Sequence, residues 1–586
     1  MTTATTAKGG EWLVADTDPA AMMTRERISD EHRLIEQTAA EFMDQEVLPA
    51  IERLEQKDWA FNRELVRKCG GLGLLGTNVP ESYGGVELDK VSTMIVSEQM
   101  ARSASFAVTF GAQANLTVLP IYMFGTDAQK QRYLPGLVSG DLVGAYCLSE
   151  SGSGSDALGA KARAARQPDG SFVLSGEKMW ITNGGFADVY VVFAKVDGEH
   201  FTAFLVERAW PGVSSGKEEH KMGLHGSSTT PVILQDVKVP ADAVLGEVGR
   251  GHKVAFNVLN FGRFKLGAMV LGGARQSVGD AAKYAATRRQ FGQAIASFGA
   301  IRHKLGEMTA RTYALESLMY RTAGLIDQRI AATGATAAAT LQALEEFAVE
   351  ASIAKVYGSE TVDFVIDEAL QIFGGNGFVA DYPIERRYRD ARVNRIFEGT
   401  NEINRLLIPG MLIKRAVKGE LPLMAAAKAL QAEITAPPAM HEDDGPLAAE
   451  GRAATAFKKV VLLVAGVAMQ RHGERLQDEQ EVLMQLADLV IDAYVAESAL
   501  LRARAAAADG GDAALHAAVA TAVVHEAAGR IELAARQALA ALADGDTLRV
   551  HLAALRRLLK LTPANLVAVR RQVADAAVAK GAYPFA

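Results

Sequence analysis

Residues 146–157 read Tyr-Cys-Leu-Ser-Glu-Ser-Gly-Ser-Gly-Ser-Asp-Ala, and this stretch decides the class of fold. Gly152, Gly154 and Ala157 match the alanine form of the dinucleotide-binding fingerprint, which requires a helix directly after the loop. Here the chain continues instead into the turn Pro168-Asp169-Gly170 and another β-prone run. The stretch therefore argues against a Rossmann fold. It predicts a polar loop between strands, able to present N–H groups and hydroxyls to a flat ring and a phosphate.

Strands continue beyond this loop, and helices lie on either side of them. Residues 142–240 hold short β-prone runs with close turns and no helix between them, which predicts an antiparallel sheet. Helical periodicity precedes this region, with Ser29 as the cap of the first helix, and returns at about residue 251. The predicted class is α+β, mainly α. Its parts are an N-terminal tail (1–27), an N-terminal helical domain (28–140), a middle antiparallel β-domain (141–250), a C-terminal helical bundle (251–417), a linker (418–446) and an additional C-terminal helical domain (447–586).

The composition is that of a folded protein of low net charge. Of 586 residues, 49% are hydrophobic and 22% are charged, which excludes a disordered chain. The 62 basic and 69 acidic side chains give a net charge of −7, so we expect no nucleic-acid partner. Two cysteines form neither a disulfide framework nor a Cys-rich metal site, and no metal is predicted. The first residues resemble no secretory signal or transit peptide, and residues 460–469 form too short an apolar run to span a membrane. We therefore expect a cytoplasmic protein.

Two further stretches carry side chains suited to a flat, anionic ligand. In residues 178–184, Trp180 offers a wide aromatic face beside the hydroxyl of Thr182. Taken alone, such a tryptophan is more often a core residue. In residues 288–292, two adjacent arginines supply the guanidinium forks that clamp diphosphates, although such pairs usually form a solvated face.

The last two stretches combine glycines with a carboxylate. Residues 371–378 contain three glycines at a helix end, more than a helix cap needs, so a ligand can approach the backbone closely. In residues 392–403, Glu398 follows an apolar pair and precedes Gly399, which predicts a carboxylate on a hinge beside a hydrophobic wall. The plainer interpretation is a surface glutamate followed by a helix-stopping glycine.

Together and in this order, the five stretches resemble the acyl-CoA dehydrogenase family of flavoproteins over about residues 28–415. The added C-terminal region, Phe124-Gly125-Thr126 and residues 260–263 are most similar to the very-long-chain branch. The resemblance implies FAD bound between the β-domain and the bundle, and across a homodimer interface where residues 288–291 reach the partner's FAD. It implies FAD contacts from Tyr146, Leu148, Ser149, Gly154, Ser155, Trp180, Ile181, Thr182, Arg288, Gln290, Phe291, Gln371, Gly374, Gly375, Thr400, Asn401 and Glu402. The substrate contacts that it implies are Ser155, Asn260, Arg263 and Gly399.

Glu398 occupies the position of the family's catalytic base. The implied reaction is dehydrogenation of a fatty acyl-CoA, expected to be long-chain, to the trans-2-enoyl-CoA, with the α-proton taken by Glu398 and hydride transferred to flavin N5. Electrons would pass to an electron-transfer flavoprotein. A carboxylate in a dry site is a suitable base for a proton beside a thioester. Two alternatives stay open: an acyl-CoA oxidase, in which oxygen reaches the reduced flavin, and a non-catalytic assembly partner that keeps the fold.

The sequence departs from the family pattern at three positions. Ser151 stands where the family usually has proline, from which we expect a change in loop stiffness only. Phe261 and Lys265 stand where close relatives carry other residues, which leaves the acyl and CoA contacts open. Glu398 is intact, so the departures do not remove the base.

An apolar stripe near the C-terminus has two interpretations. It consists of Leu548, Leu552, Leu555 and Leu559, flanked by Arg549, Arg556 and Lys560. One interpretation is a helix packed on its own bundle. The other is a basic amphipathic helix in peripheral contact with the inner face of the membrane.

A short pattern also occurs twice in the helical regions. Tyr313-Ala-Leu-Glu-Ser with Arg321 returns as Tyr494-Val-Ala-Glu-Ser with Arg502, at the same spacing. Either two amphipathic helices resemble each other by chance, or the last domain is a decayed copy of the preceding bundle.

Overall fold

The N-terminal domain is built from short helices with strong caps. The computed structural model describes residues 7–334, 336–436 and 445–585. Ser29 caps the first helix as predicted, because its hydroxyl accepts a hydrogen bond from the backbone N–H of His32. The helices are α1 (Asp30–Phe42), α2 (Ile51–Glu55), α3 (Trp59–Gly71), α4 (Lys90–Met100), α5 (Ala104–Gln113), α6 (Leu119–Phe124) and α7 (Asp127–Ser139). A π-helical turn, Ala114–Val118, joins α5 to α6.

The middle domain is a mixed, mainly antiparallel sheet. Its strands are β1 (Gly144–Cys147), β2 (Arg163–Arg166), β3 (Phe172–Thr182), β4 (Val189–Val196), β5 (His200–Glu207), β6 (Val213–Ser215), β7 (Thr229–Val239) and β8 (Val244–Leu245). Their order is β6-β7-β3-β2-β4-β5-β8, with β1 also paired to β4. The predicted β-domain is confirmed, but β4 runs parallel to both β1 and β2. Because β3 returns between β2 and β4 along the chain, those two strands share one direction.

The C-terminal bundle and the additional domain share one hydrophobic core. The bundle contains α8 (Gly251–Thr287), the two-stranded hairpin β9 (Arg289–Gln290) and β10 (Gln293–Ala294), α9 (Gly299–Thr333), α10 (Ala337–Glu346), α11 (Ala348–Phe373), α12 (Pro383–Ala391) and α13 (Asn401–Val417). The following helices are α14 (Leu423–Thr435), α15 (Ala448–His472), α16 (Gln480–Ala508), α17 (Ala513–Leu542), α18 (Gly545–Leu558) and α19 (Leu566–Lys580). Helix α8 packs along α11, where Gly267 and Gly358 let the two backbones approach closely.

Two segments predicted as tail and linker contain ordered structure. In the tail, Trp12 is buried, donates a hydrogen bond to Glu350 on α11, and packs with its ring 4.8 Å from that of Tyr494 on α16, tilted by 47°. Residues 423–435, inside the predicted linker, form α14, because their Ala- and Leu-rich sequence favours a helix. Residues 437–444 of the predicted linker lie outside the described residues.

The duplicated pattern lies on two helices that face each other. Arg321 on α9 pairs with Glu497 on α16 at 2.9 Å, and Arg502 on α16 pairs with Glu316 on α9 at 2.7 Å. The two ion pairs join equivalent positions in opposite order, as an approximate two-fold relation between the helices requires. Internal duplication stays a hypothesis that this reciprocity favours.

The apolar stripe of α18 packs on the additional domain. Leu555 is buried, and Leu548, Leu552 and Leu559 are partly buried against the same core. Among the described residues, three helical segments are long and apolar enough to cross a membrane by length and composition: 104–124, 251–287 and 448–478. Most of the first two and just over half of the third are buried inside the fold.

Candidate active site

A cavity of about 70 Å³ lies where the N-terminal domain, the sheet and the bundle meet. Helix α5 with its π-helical turn, and helix α8, each contribute four residues at the i, i+3, i+4, i+7 spacing of a single helix face. The end of β3 and the loop before α13 complete the lining. The lining residues are Val108, Gly111, Ala112, Asn115, Thr182, Gly262, Lys265, Leu266, Met269, Phe397 and Glu398, together with Leu116. The structure thus brings Thr182 and Glu398 to one cavity, as the sequence predicts.

The backbone around Glu398 is held in a conformation that side chains rarely adopt. Its φ is +57°, and that of Gly399 is +80°. The amide of Asn404 donates hydrogen bonds to the carbonyls of Gly399 (2.8 Å) and Thr400 (3.0 Å), which fixes this loop on α13. Thr400 caps α13 by accepting a hydrogen bond from the backbone N–H of Ile403. Strain of this kind is typical of functional sites.

The carboxylate of Glu398 is enclosed, and its Oε2 has no hydrogen-bond partner among the described residues. Gly262 makes room for it, since a Cβ there would lie 2.4 Å from Oε2. Burial raises the pKa of Glu398 to about 7, opposed by the charges of Arg263 and Lys355. The carboxylate is therefore a proton acceptor that titrates near neutral pH.

Tyr146 and the loop that follows β1 rest on a buried ion pair. The Nζ of Lys178 on β3 lies 2.7 Å from Glu150 and donates to the Leu148 carbonyl at 3.2 Å. Glu150 also accepts the backbone N–H of Lys161 at 2.6 Å, and its pKa lies below its usual value because these donors outweigh burial. The ion pair holds the backbone of Leu148, while the Tyr146 hydroxyl is buried without a partner among the described residues.

Trp180 faces outward rather than into the core. The pairing of β3 with β7 is irregular between Lys178 and Ile181, and Trp180 has a φ of +58°. This bulge turns its ring to the surface, where it is 58% exposed, while Ile181 is buried and Thr182 reaches the cavity. The plain core interpretation of Trp180 is therefore wrong, and the ring remains available to a ligand.

Six predicted FAD contacts lie together on another surface. They are Arg288, Gln290, Phe291, Gln371, Gly374 and Gly375, and none of them lines the cavity of Glu398. Tyr284 lies at the end of α8, just before the β9–β10 hairpin, and its ring stacks 4.1 Å from that of Phe373 at the end of α11. This contact brings the hairpin close to the end of α11. Phe291 is 93% exposed, and a Cβ on either glycine would meet nothing within 4 Å. Within one chain, these residues form an open surface.

The remaining predicted contacts divide into surface and structural positions. Gly154, Ser155 and Glu402 are exposed. Asn401 is buried, and its side-chain amide is hydrogen-bonded to Lys355, Ser359 and Glu360, which ties the start of α13 to helix α11. On α8, Asn260 accepts a hydrogen bond from Arg263 at 2.8 Å, and the Nε of Arg263 lies 3.5 Å from the carbonyl of Glu398.

The four domains match known families in chain order. Residues 29–141 match the acyl-CoA dehydrogenase N-terminal domain, 145–237 the middle domain and 249–412 the C-terminal domain. Residues 456–557 match a second C-terminal domain of the same name. The chain belongs to the acyl-CoA dehydrogenase family.

Individual relatives of this family cover nearly the whole chain. A protein of Bacillus subtilis named "Probable acyl-CoA dehydrogenase" is 45% identical over 574 residues, 97% of each chain. The human mitochondrial very long-chain specific acyl-CoA dehydrogenase is 36% identical over 80% of this chain and 72% of its own. The crystal structure of acyl-CoA dehydrogenase complexed with FAD from Bacillus anthracis has a TM-score of 0.96 at 45% identity, covering 98% of this chain and all of its own.

In this acyl-CoA dehydrogenase fold, four residues near the base were missed as functional positions by sequence reasoning. In the sequence, Gly262 is only one member of the motif at residues 260–263, and Lys265 is only a departure from the family pattern. Lys355 gave no local signal, because it reaches Glu398 from a separate helix. Asn115 gave none either, because the π-helical turn that places it in the cavity is not visible in the apolar periodicity.

Proposed function

We propose that the protein is an FAD-dependent dehydrogenase that converts an acyl-CoA thioester to its trans-2-enoyl-CoA, with Glu398 as the base. The observation that carries this proposal is the enclosed, unpartnered carboxylate of Glu398 in the same cavity as Thr182. Membership of the acyl-CoA dehydrogenase family supports the same reaction.

The side chains around the cavity fit FAD. The buried Tyr146 hydroxyl has an unused hydrogen-bonding capacity, and the exposed faces of Trp180 and Phe291 suit an aromatic ring system. Leu148, Ser149 and Thr182 would hold the part of FAD nearest the base. When bound, FAD supplies the oxidising chemistry by accepting the β-hydrogen as hydride.

Glu398 removes the α-proton in this proposal. The α C–H bond breaks with its proton going to the carboxylate, the β C–H bond breaks with its electron pair leaving as hydride, and the Cα–Cβ double bond forms. The backbone that carries Glu398 is held by Asn404 and the capped start of α13, so little of its orientation must be acquired during the reaction. Burial keeps bulk water away from the carboxylate, which strengthens the base.

The backbone N–H of Glu398 is available to the thioester oxygen. Within the described residues it donates no hydrogen bond. Negative charge develops on the thioester oxygen as the α-proton leaves, and one donor aimed at such an oxygen contributes about 3–4 kcal/mol to transition-state stabilisation.

The partners of the reaction form part of the proposal. Phe291 and Phe378 are 93% and 84% exposed in a single chain, which supports a homodimer that covers them. Family membership supports an electron-transfer flavoprotein as the acceptor, and a cytoplasmic location completes the proposal. The cavity of about 70 Å³ gives no support to the expected long-chain preference, which stays a prediction. Peripheral membrane contact is not part of the proposal, since the stripe that it requires packs on the protein itself.

The proposal is tested by mixing the purified yellow protein anaerobically with acyl-CoAs of increasing chain length. We expect saturated thioesters to bleach the flavin, and electron-transfer flavoprotein to reoxidise it. Stoichiometric peroxide on admitting air during turnover would indicate an oxidase instead. Purification without flavin, or no bleaching by any thioester, would contradict the proposal and favour a non-catalytic partner.

A further inference from the structure

Two polar side chains stand out in the otherwise apolar or small lining of the cavity beyond the base. Lys265 on α8 and Asn115 on the π-helical turn after α5 occupy its two facing helices. We call them the Lys265–Asn115 pair. Neither takes part in the mechanism proposed above.

Lys265 is a buried amine with only neutral partners. Its side chain is 2% exposed, and its Nζ donates to the Thr93 carbonyl at 2.5 Å and to the Ser97 hydroxyl at 2.8 Å. The only other contact recorded for this Nζ among the described residues is the ring of Phe261, whose centroid lies 5.4 Å away and which is also neutral. Burial, with Lys90 nearby, holds its pKa well below the usual value. Either protonation state leaves one position unused, a third N–H or a lone pair.

Asn115 is a buried amide without partners. It is 4% exposed, and its side chain forms no hydrogen bond with any described residue; its Oδ1 is fully shielded from solvent. Buried amides are normally hydrogen-bonded, because leaving one unpaired costs about 1–3 kcal/mol. An unpaired amide in a ligand cavity indicates that the ligand supplies the partner.

Lys265 is bonded to helix α4 and not to the base. The cations that act on the Glu398 carboxylate are Arg263 and Lys355, and Lys265 is not among them. On α8, Lys265 follows Gly262 by three residues and turns to helix α4 through its bonds to Thr93 and Ser97. The cavity therefore has a reacting end at Glu398 and a second polar position at the pair.

We propose that the Lys265–Asn115 pair binds an oxygen function on the acyl chain, so that the preferred substrates are oxygen-bearing acyl-CoAs, with a hydroxyl, carbonyl or carboxylate group. This inference rests on the proposed function and names its substrate class. An oxygen atom in the cavity offers a hydrogen-bond partner to the unpaired Asn115 amide and to Lys265, whereas a plain alkyl chain offers none. A hydrocarbon chain that displaces water from the pair therefore binds less well than an oxygen-bearing chain of the same length.

The test uses matched sets of CoA thioesters of short and medium chain length. Each set holds the plain acyl-CoA, its ω-hydroxy form and its ω-carboxy form, with the same number of carbons. Dissociation constants are measured by calorimetry on the FAD-loaded Glu398→Gln protein, in which binding is separated from turnover. Lys265→Met and Asn115→Leu remove the polar groups at similar volume. Lys458→Met is the matched control, because Lys458 is also a buried lysine that donates to a backbone carbonyl, that of Ala15 at 3.1 Å, but does not line the cavity.

We expect an oxygen-bearing member of at least one set to bind about ten-fold or more tightly than the plain member. Lys265→Met and Asn115→Leu should each abolish most of that preference, and Lys458→Met should keep it. The hydroxy and carboxy arms identify which oxygen function is preferred. Should Lys265→Met not fold, Asn115→Leu provides the same comparison.

Equal binding within every set, or a preference that survives both substitutions, would overturn the inference and leave ordered water as the occupant of the pair. In that outcome thioesters still bind, and the proposed function stands. If no CoA thioester binds at all, the proposed function fails, and this inference fails with it.

Discussion

Glu398 combines, in one side chain, what a base for α-proton removal needs. Its Oε2 is shielded and unpartnered, and a backbone φ of +57° directs the side chain away from the helix that follows. Two neighbours make this arrangement possible. Gly262 has no side chain and so leaves space for the carboxylate, and Asn404 fixes the loop by hydrogen bonds to its backbone. The basicity of Glu398 therefore depends on space and desolvation more than on hydrogen bonding.

The pH dependence of the reaction reports on the base. Because the pKa of Glu398 is raised to about 7, the carboxylate is the minor form below that pH and the major form above it. We therefore expect kcat/KM for a saturated acyl-CoA to rise as the pH increases through about 7, as measured by steady-state kinetics. A profile that is flat across neutral pH would contradict the assignment.

The missing side chain at Gly262 can be tested by adding one. A Cβ there would lie 2.4 Å from Oε2, so Gly262→Ala should displace the carboxylate and lower kcat about ten-fold or more. Gly273→Ala is the control on the same helix, because its Cβ would meet Val362 at an ordinary 3.6 Å. Equal kcat values for both variants would show that the close approach has no role.

Site residues could be predicted from the sequence only where a short local motif carries their chemistry. Glu398 and Thr182 lie in short motifs that carry their own chemistry, and the structure places both at one cavity. Gly262 and Asn115 reach one cavity through the packing of the π-helical turn against α8, which no local spacing predicts. Asn401 differs from both groups. It lies in a recognisable motif, but its side-chain amide is hydrogen-bonded to residues of α11.

At the scale of elements, strand β3 organises the site. Its bulge turns Trp180 outward, and its Lys178 holds the loop after β1 through Glu150. Strands, turns and the Ser29 cap followed from periodicity and turn chemistry. The bulge and the parallel pairing of β4 could not be predicted in this way, because they depend on which strands become neighbours.

Lys178→Met tests this support. It leaves Glu150 buried without its cation, which typically destabilises by about 3–5 kcal/mol. We expect a lower Tm and release of FAD at lower temperature, measured by calorimetry and flavin fluorescence. The double variant Lys178→Met with Glu150→Gln should recover part of the loss, since it removes the buried charge. No difference between single and double variants would contradict this role for the ion pair.

Helix α18 provides a second test at this scale. Because its leucine stripe packs on the additional domain, we expect no binding to anionic vesicles in a sedimentation assay. Binding by the natural protein that is lost on reversing the charges of Arg549, Arg556 and Lys560 would contradict this expectation.

At the scale of the whole molecule, one core joins the bundle, the additional domain and residues 7–27. The order of the domains and the secondary structure of each were predictable, because each domain has its own hydrophobic periodicity. The ordered tail and the helix α14 were not, because their stability comes from contacts with distant parts of the chain. Trp12, hydrogen-bonded to Glu350 and packed against the ring of Tyr494, is the clearest example.

Trp12→Ala measures how far the tail stabilises the whole. Loss of this buried ring should lower the free energy of unfolding by about 3–5 kcal/mol, seen as a lower Tm. Leu34→Ala, at an exposed site, should change it by no more than about 0.5 kcal/mol. A Trp12→Ala protein as stable as the control would mean that the tail contributes nothing to the common core.

The most direct test of the central claim is an anaerobic single turnover of the Glu398→Gln protein with a saturated acyl-CoA. Glutamine keeps the size of the side chain but cannot accept the α-proton. The account predicts that this variant retains FAD and binds the thioester, yet its flavin stays yellow while that of the natural protein bleaches. Bleaching of the variant at the natural rate would show that another residue is the base.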